Sequence, residues 1–411
     1  MSGAERVSPL SDPRADHGPQ AVRSRRRPRF ALPPGARPSL RRAMPALALF
    51  VAVRLTGMAV LAVWSRHIGR HPRTVLGLEW DSKWYWRIAR QGYGTTIVPG
   101  GRSQDVLYDD RAFFPLYPGM IRALHSVLRI GEVDAALLIA WTGAVVAAWG
   151  VYAVGELLYG RRVGVALVAL WAVLPHAVIL TAAYTEPVMM AFGAWALYAA
   201  LSRHRLTAAA LAVPAGLCRP NGVAVVAAVI AALAVDARRR RHDGEPIGTR
   251  TWVAACVAPV GWLSYIAWVG AQVHSPTGYF GVQAAWGSRF DFGRYTLHML
   301  VHLVTHHNSF SYYVAAWIAF GAVLLFALCV LDRQPLPLLV FSAVLLVMAL
   351  GSAHYFASRP RLLLPAFPLL FPIALPLSRA RPRAVVALLT ALAAASFLYG
   401  VYLLTAAGTA P

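Results

Sequence analysis

Long apolar segments recur along the chain after residue 43, and arginine-rich loops separate many of them. A helix that crosses a bilayer needs about 20 predominantly apolar residues. Apolar residues make up 58% of this chain and charged residues 14%, against about 45–50% and about 25% in soluble domains. The candidate segments are 44–64, 133–158, 163–183, 187–201, 206–218, 222–235, 252–273, 312–331, 336–352, 362–377 and 384–406. We therefore predict an all-α polytopic membrane protein with about eleven transmembrane helices.

The arginines predict how these helices are oriented. Residues 1–43 are rich in proline, serine and arginine, which is typical of a disordered tail. Two roles are open for this tail. It either contacts anionic lipid or nucleic acid, or it orients the first helix under the positive-inside rule, which we favour. With the N-terminus in the cytoplasm, five further basic loops also face the cytoplasm: 161–162, 203–205, 238–241, 332–333 and 379–383. The predicted organisation is a cytoplasmic tail, 1–43, and a transmembrane domain, 44–411, in the cell membrane.

Several common chemistries are excluded by missing motifs. Lys83 is the only lysine and is followed by Trp84, so the chain has no P-loop. The GxGxxG, HExxH and CxxC patterns are also absent. Cys218, Cys256 and Cys329 lie far apart in apolar stretches and are interpreted as packing residues. No cofactor is expected, and the use of a divalent metal stays open.

The polar clusters of the chain all fall on the predicted outer face. They occupy 79–118, 184–187, 219–222, 274–311 and 353–361. Polar groups at membrane depth are costly unless they are paired or face a cavity. A ring of such groups at one end of a bundle therefore predicts one external binding site.

The first of these clusters contains the candidate catalytic carboxylates. Trp80, Trp84 and Ile88 recur every four residues and predict an amphipathic interfacial helix. Asp81 stands just before its first turn, where it either caps the helix or serves as general base toward a hydroxyl. Glu79 either shares that site or is solvated.

The loop continues into the sequence AFFPLYP, residues 112–118, which includes Tyr117. Its prolines are incompatible with a plain helix interior, so it predicts a turn in the interface, serving as an aromatic anchor or as a substrate wall. The preceding Asp105, Asp109 and Asp110 are either metal ligands or a solvated acidic turn.

Two short motifs between apolar segments supply further polar groups. In AYTEP, residues 183–187, Tyr184 and Glu186 precede a helix, where Glu186 either complements the helix dipole or contacts the substrate. In RPNG, residues 219–222, Arg219 and Asn221 lie between short segments. Arg219, like Arg54 in the first span, either pairs with a carboxylate or binds an anionic group such as a lipid phosphate.

The last two clusters are rich in histidine and arginine. The spacing of His298, His302 and His306 predicts a surface helix with a histidine edge beside an apolar stripe, which we favour over a metal site. His354, Arg359 and Arg361 begin a late span. Because basic residues on the outer face oppose the positive-inside trend, these three residues predict an anionic ligand.

An external site has no access to a cytosolic nucleotide, so an activated donor must arrive on a lipid. A polyprenyl-phosphate sugar fits, with its phosphate on arginine and its sugar near Asp81 and the aromatic loop. The expected partners are this donor, a hydroxyl acceptor on an envelope glycan, glycolipid or protein, and membrane lipid. Nucleic acid is not among them.

Five motifs together resemble the PIG-V-like mannosyltransferases, which are polytopic glycosyltransferases of the GT-C class. They are WDSKWYWRIARQGYG, AFFPLYP, AYTEP, RPNG, and QAAWG with Gln283 and Trp286, and they span roughly residues 45–365. The resemblance implies a GT-C-like bundle whose first external loop carries interfacial helices. It also implies a polyprenyl- or dolichyl-phosphate mannose donor and, at Asp81, the catalytic base.

These inferences combine into one functional hypothesis. The chain would transfer mannose, with inversion, from polyprenyl-phosphate mannose to a hydroxyl outside the cytoplasm. Asp81 would take the proton, while Arg219 and Arg359 or Arg361 would stabilise the leaving phosphate. The alternative is a lipid or glycolipid transporter that binds the same groups without forming a bond. A purely structural subunit would leave the deep arginines unexplained.

Overall fold

A computed structural model describes residues 39–97 and 108–411 of the chain. Its α-helices are α1 (Leu40–His67), α2 (Pro72–Gly77), α3 (Ser82–Gln91), α4 (Leu116–Leu128), α5 (Glu132–Tyr159), α6 (Arg161–Ala172), α7 (Glu186–Leu201), α8 (Arg205–Cys218), α9 (Val223–His242), α10 (Thr249–Val257), α11 (Val260–Gln272), α12 (Gly278–Ala285), α13 (Arg294–Thr305), α14 (Phe310–Leu331), α15 (Leu336–Gly351), α16 (Arg359–Leu363), α17 (Phe371–Leu377) and α18 (Pro382–Thr405). Short 3₁₀ turns lie at Asp110–Ala112, Ala177–Leu180, Pro220–Gly222, Phe356–Ser358 and Phe367–Leu370. Strands β1 (Thr96–Ile97) and β2 (Tyr108–Asp109) pair antiparallel.

Six helical stretches in the described part are long and apolar enough to cross a membrane. They are Leu40–His67, Glu132–Tyr159, Pro220–His242, Thr249–Gln272, Phe310–Leu331 and Pro382–Thr405. A seventh is possible if Phe356–Leu363 and Phe367–Leu377, which meet at 81°, form one bent span. Shorter apolar helices are Glu186–Leu201, Arg205–Cys218 and Leu336–Gly351. The chain thus has several apolar helices of a multi-pass membrane protein, and the count of about eleven spans remains a prediction.

Helix α1 starts a few residues before the predicted beginning of the transmembrane domain. The helix begins at Leu40 with Ser39 as its N-cap, so the last residues of the predicted 1–43 tail are helical. Most of that tail lies outside the described residues.

Small residues allow the central helices to approach closely. Gly150 of α5 faces Ala194 of α7, and Gly155 of α5 faces Gly164 of α6 so closely that an added Cβ would lie 2.8 Å from the Gly164 Cα atom. Apolar association alone gains little in lipid, so close backbone packing of this kind is a main source of helix association. Much of α7 is buried in this core, which explains how a short apolar helix is accommodated.

One end of the bundle, which we call the α3 end, collects the loops that carry the polar motifs. Helix α3 is amphipathic and buries Trp84, Tyr85, Ile88 and Ala89, and Gly92 ends it with a φ of +83°, a conformation that glycine adopts easily. Beyond it, buried Asp110 accepts hydrogen bonds from the backbone N–H groups of Gly94 and Thr95, at 3.1 and 2.9 Å. Burial raises the pKa of Asp110.

Candidate functional site

Asp81 does not act as a side-chain cap for α3. It occupies the N-cap position, but its carboxylate accepts no capping hydrogen bond. Instead Asp81 Oδ2 lies 2.8 Å from Nη1 of Arg361. The geometry therefore disfavours the capping interpretation and places this carboxylate beside one of the predicted arginines.

Glu186 joins the two arginines. Nε of Arg361 lies 3.2 Å from Glu186 Oε1, and Nη1 of Arg219 contacts the same oxygen. Glu186 is almost fully buried, with 1% of its side chain exposed, whereas Asp81 retains 24%. We refer to Asp81, Glu186, Arg219 and Arg361 as the carboxylate–arginine cluster, which brings together residues from four separate motifs.

The charges of this cluster balance, but its hydrogen bonds are incomplete. Nη1 of both arginines and Nε of Arg361 are engaged in ion pairs with Asp81 and Glu186. Nε of Arg219 is buried without a hydrogen-bond partner among the described residues. A ligand that accepts this donor would satisfy it, and to reach the other donors it must displace a carboxylate.

The AYTEP turn is held against α2 and α3. The Ala183 N–H donates to the Leu76 carbonyl at 2.8 Å, and the Ser82 hydroxyl donates to the Ala183 carbonyl at 3.1 Å. The Tyr85 hydroxyl lies 3.4 Å from Thr185 Oγ1. These contacts fix Glu186 relative to Asp81, although the two residues are far apart in sequence.

Tyr85 and Thr185 are site residues that the sequence analysis missed. Tyr85 follows Asp81 by four residues, so it lies on the same helical face one turn later. That spacing was the available signal. Burial raises the pKa of Tyr85, and the charges of Asp81 and Glu186 raise it further, which keeps the phenol protonated.

Arg361 is positioned by the short helix α16. The Asn221 side-chain amide donates to the Leu362 carbonyl at 3.5 Å, and the Trp171 indole N–H donates to the Leu364 carbonyl at 3.0 Å. The Arg361 guanidinium lies 5.1 Å from the centre of the Tyr184 ring, within the range of a cation–π contact. Asn221 and Tyr184 thus act on the cluster through Arg361.

Arg359, in contrast, does not join the cluster. Its guanidinium donates to the Thr296 hydroxyl and, at 2.6 Å, to the Ser352 carbonyl. It also lies 4.6 Å from the Phe356 ring centre. His354 stacks on Tyr295, with ring centres 5.3 Å apart. The predicted convergence of Arg219, Arg359 and Arg361 is therefore wrong for Arg359, whose Nη1 and Nη2 donate to Thr296 and Ser352 and whose Nε is buried without a hydrogen-bond partner among the described residues.

An aromatic cluster borders α3. Trp84 stacks on Phe113 with ring centres 5.6 Å apart and meets Trp286 edge-on at 5.1 Å. Tyr108 stacks on Trp286 at 4.4 Å. The Trp286 indole N–H donates to the Asp109 carbonyl at 3.0 Å. The first loop and the QAAWG segment thus form one aromatic wall.

Three further predicted residues are held by local partners. The Gln283 amide donates to the Ala112 carbonyl at 2.9 Å and to the Tyr279 hydroxyl at 2.8 Å. The Tyr117 hydroxyl, fully buried, donates to the Ala136 carbonyl at 2.8 Å. Glu79 pairs with Arg70, and Trp80 takes a left-handed backbone with a φ of 52°. These contacts support loop structure, and a direct role in chemistry for Glu79 stays a prediction.

The described residues contain no group of three or more His, Cys, Asp or Glu side chains arranged to hold a metal. His298, His302 and His306 stack along α13, with successive ring centres 6.2 and 4.3 Å apart. Asp109 pairs with Arg111, and Asp110 holds the backbone at Gly94 and Thr95. Asp105 lies outside the described residues.

The comparisons with known proteins assign this chain to no family. No protein-family model matches the chain, and no curated protein sequence matches it. Among solved structures, the chain is similar to the oligosaccharyltransferase of Archaeoglobus fulgidus, described as a complex with zinc and sulfate, at 15% identity and a TM-score of 0.41. The match covers 73% of this chain and 45% of that protein, so it extends over less than half of its length. A likeness of this degree does not establish a shared activity, and the resemblance to PIG-V-like mannosyltransferases remains a prediction from the motifs.

Proposed function

We propose that this protein is a membrane glycosyltransferase that moves mannose from polyprenyl-phosphate mannose to a hydroxyl acceptor on the extracytoplasmic side. The observation that carries the proposal is the convergence of two arginines and two carboxylates from four separate motifs at one end of a membrane bundle. Such a set offers cations for a phosphate and a partly exposed carboxylate for a hydroxyl proton.

The reaction is a single displacement at the anomeric carbon. The acceptor oxygen bonds to this carbon as the bond from the carbon to the phosphate oxygen breaks, so the configuration inverts. Asp81 takes the hydroxyl proton. Arg361 and Arg219 stabilise the phosphate as it gains negative charge, and the polyprenyl phosphate leaves with the bonding electron pair.

Glu186 has a positioning role in this scheme. It is too deeply buried to meet an acceptor, and it contacts both arginines. Holding two guanidinium groups side by side costs Coulomb energy, which the shared carboxylate offsets. The aromatic cluster of Trp84, Phe113, Trp286 and Tyr108 supplies a wall against which a sugar ring can lie.

The test is product formation by the purified protein. We expect incubation with radiolabelled polyprenyl-phosphate mannose and a cell-envelope extract to yield a new mannosyl product. Asp81→Asn keeps the size of the side chain but removes the proton acceptor, and we expect it to lower turnover at least a hundredfold, the lower range for general base catalysis. The matched control is Asp134→Asn, because Asp134 forms an exposed pair with Arg73.

Two results would contradict the proposal. If labelled donor crosses a liposome membrane with no new glycosidic bond, the protein is a transporter. If Asp81→Asn folds and transfers mannose at the normal rate, the base is another residue.

A further inference from the structure

Arg54 is a second buried arginine site, separate from the carboxylate–arginine cluster. It lies 14 residues after the start of α1 and 13 before its end, about 20 Å from either end at 1.5 Å per residue. Only 6% of Arg54 is exposed. The residue therefore places a guanidinium near the middle of a helix that can span the bilayer.

This guanidinium has no carboxylate partner among the described residues. Its Nε and Nη1 atoms are buried and make no hydrogen bond there. The ring of Phe397 on α18 lies 5.9 Å from the guanidinium carbon, a distance at which a cation–π contact contributes but does not neutralise charge. An unpaired cation at membrane depth is costly, so such residues pair or face a functional cavity.

A small cavity lies directly beside Arg54. Arg54, Thr181, Ser396 and Phe397 contribute to its lining, and it has room for about one water-sized group. Gly57 makes room for the guanidinium and the Phe397 ring beside this cavity. A Cβ atom at Gly57 would lie 2.9 Å from Arg54 Nη2 and from the Phe397 ring.

The lining can supply further donors to a small ligand. The Thr181 hydroxyl donates to the Val178 carbonyl and the Ser396 hydroxyl to the Leu174 carbonyl, both at 2.7 Å. A hydroxyl hydrogen rotates to suit its partner, so either group can turn toward an anion. A phospholipid phosphate is excluded by size and by depth, because headgroups lie about 15 Å or more from the bilayer centre.

We propose that Arg54 binds one small monovalent anion of halide size inside the bundle, between α1, α18 and the 3₁₀ turn at Ala177–Leu180. The ion neutralises the guanidinium where water cannot. Because the guanidinium is weakly hydrated compared with an ammonium group, a weakly hydrated halide such as bromide suits it. A halide ion is larger than one water molecule, so the side chains that line the cavity, Arg54 and Phe397 among them, must shift outward to admit it. The ligand stabilises the fold by binding the native state alone.

The test compares melting temperatures of the purified protein in detergent, in sodium chloride, sodium bromide and sodium gluconate at equal ionic strength. We expect the halides to raise the melting temperature in a saturable way, while gluconate, which is too large for the cavity, does not. In Arg54→Met and Arg54→Gln the halide effect should vanish. Arg66→Gln, which removes an exposed arginine from the same helix, should retain it.

A second readout locates the ion directly. A bromide-soaked crystal should give an anomalous peak within contact distance of Arg54 Nε or Nη1. Equal melting temperatures in halide and gluconate would overturn the proposal and leave water as the occupant. A stabilisation by inorganic phosphate or anionic lipid, lost in Arg54→Gln and absent with halides, would overturn the halide assignment.

Discussion

At the scale of the residue, Arg219 tests whether the cluster stabilises a leaving group or only holds the donor. Its Nη1 contacts Glu186, and its Nε is buried without a hydrogen bond in the described structure. Lysine keeps the charge but loses the planar fork. We expect Arg219→Lys to leave donor affinity within about tenfold, or roughly 1.4 kcal/mol, while turnover falls much further, because the lost contacts strengthen as the bond breaks.

Donor binding and single-turnover transfer, measured on the same purified variant, give the answer. A loss confined to donor affinity, with bound donor still converted at the normal rate, would reduce Arg219 to a docking residue.

Arg359 and Arg361 lie two positions apart, and their different contacts predict different effects of substitution. Arg361 contacts both cluster carboxylates, whereas Arg359 donates to Thr296 and to the Ser352 carbonyl. We expect Arg361→Lys to lower turnover per folded molecule at least tenfold. Arg359→Lys should instead lower stability, by about 1–3 kcal/mol for buried groups left unsatisfied.

Thermal unfolding and active-fraction measurements on both variants separate these effects. If Arg359→Lys and Arg361→Lys lost the same turnover per folded molecule, Arg359 would also act at the reacting centre.

At the scale of the element, the RPNG turn depends on its glycine. A Cβ at Gly222 would overlap the Ala215 carbonyl oxygen and lie 2.8 Å from the Gly216 Cα atom, so the turn can approach α8 only with glycine there. We expect Gly222→Ala to destabilise the protein by about 1–3 kcal/mol and to lower transfer by displacing Arg219 and Asn221.

The matched control for this variant is Gly281→Ala in α12, where an added Cβ meets nothing within 4 Å. Melting temperature and transfer rate should both stay near the values of the unmodified protein. If Gly222→Ala matched this control in both measurements, the close approach would have no role in placing the site.

Apolar run length predicts six of the described α-helices closely, since α5, α7, α8, α14, α15 and α18 begin and end within a few residues of the predicted segments. It fails where the chain breaks inside a run. The stretch 362–377 contains an 81° bend, and 163–183 ends in a 3₁₀ turn. Mean hydropathy is averaged over a whole segment, so it does not locate a bend or a tight turn inside one. Arg359 and Arg361 lie two positions apart in the short helix α16 and therefore point to nearly opposite sides of it. Which of them reaches a carboxylate depends on how α16 packs, and the sequence does not separate them.

At the scale of the whole molecule, the orientation of the bundle awaits measurement. The arginine loops predict that residues 236–250 face the cytoplasm and residues 274–311 face out. Single cysteines at His242, with a side chain 91% exposed, and at Phe292, 87% exposed, test both loops. The exposed Cys256 must first be replaced by serine.

In intact cells, an impermeant maleimide should label the cysteine at position 292 and not the one at position 242. Both should react after the membrane is opened, which controls for accessibility. The reverse pattern would invert the orientation and move the proposed site to the cytoplasmic side.

The carboxylate–arginine cluster is electrically neutral, and this neutrality dictates a kinetic order. When the phosphodiester of the donor enters, both guanidinium groups are already paired with carboxylates, so one carboxylate must release its guanidinium. Asp81 is the carboxylate with access to water. An acceptor that arrives first meets Asp81 still bound to Arg361. Turnover should therefore be sequential with the donor first, and an unreactive acceptor analogue should inhibit uncompetitively against the donor, whereas random entry would make that inhibition noncompetitive.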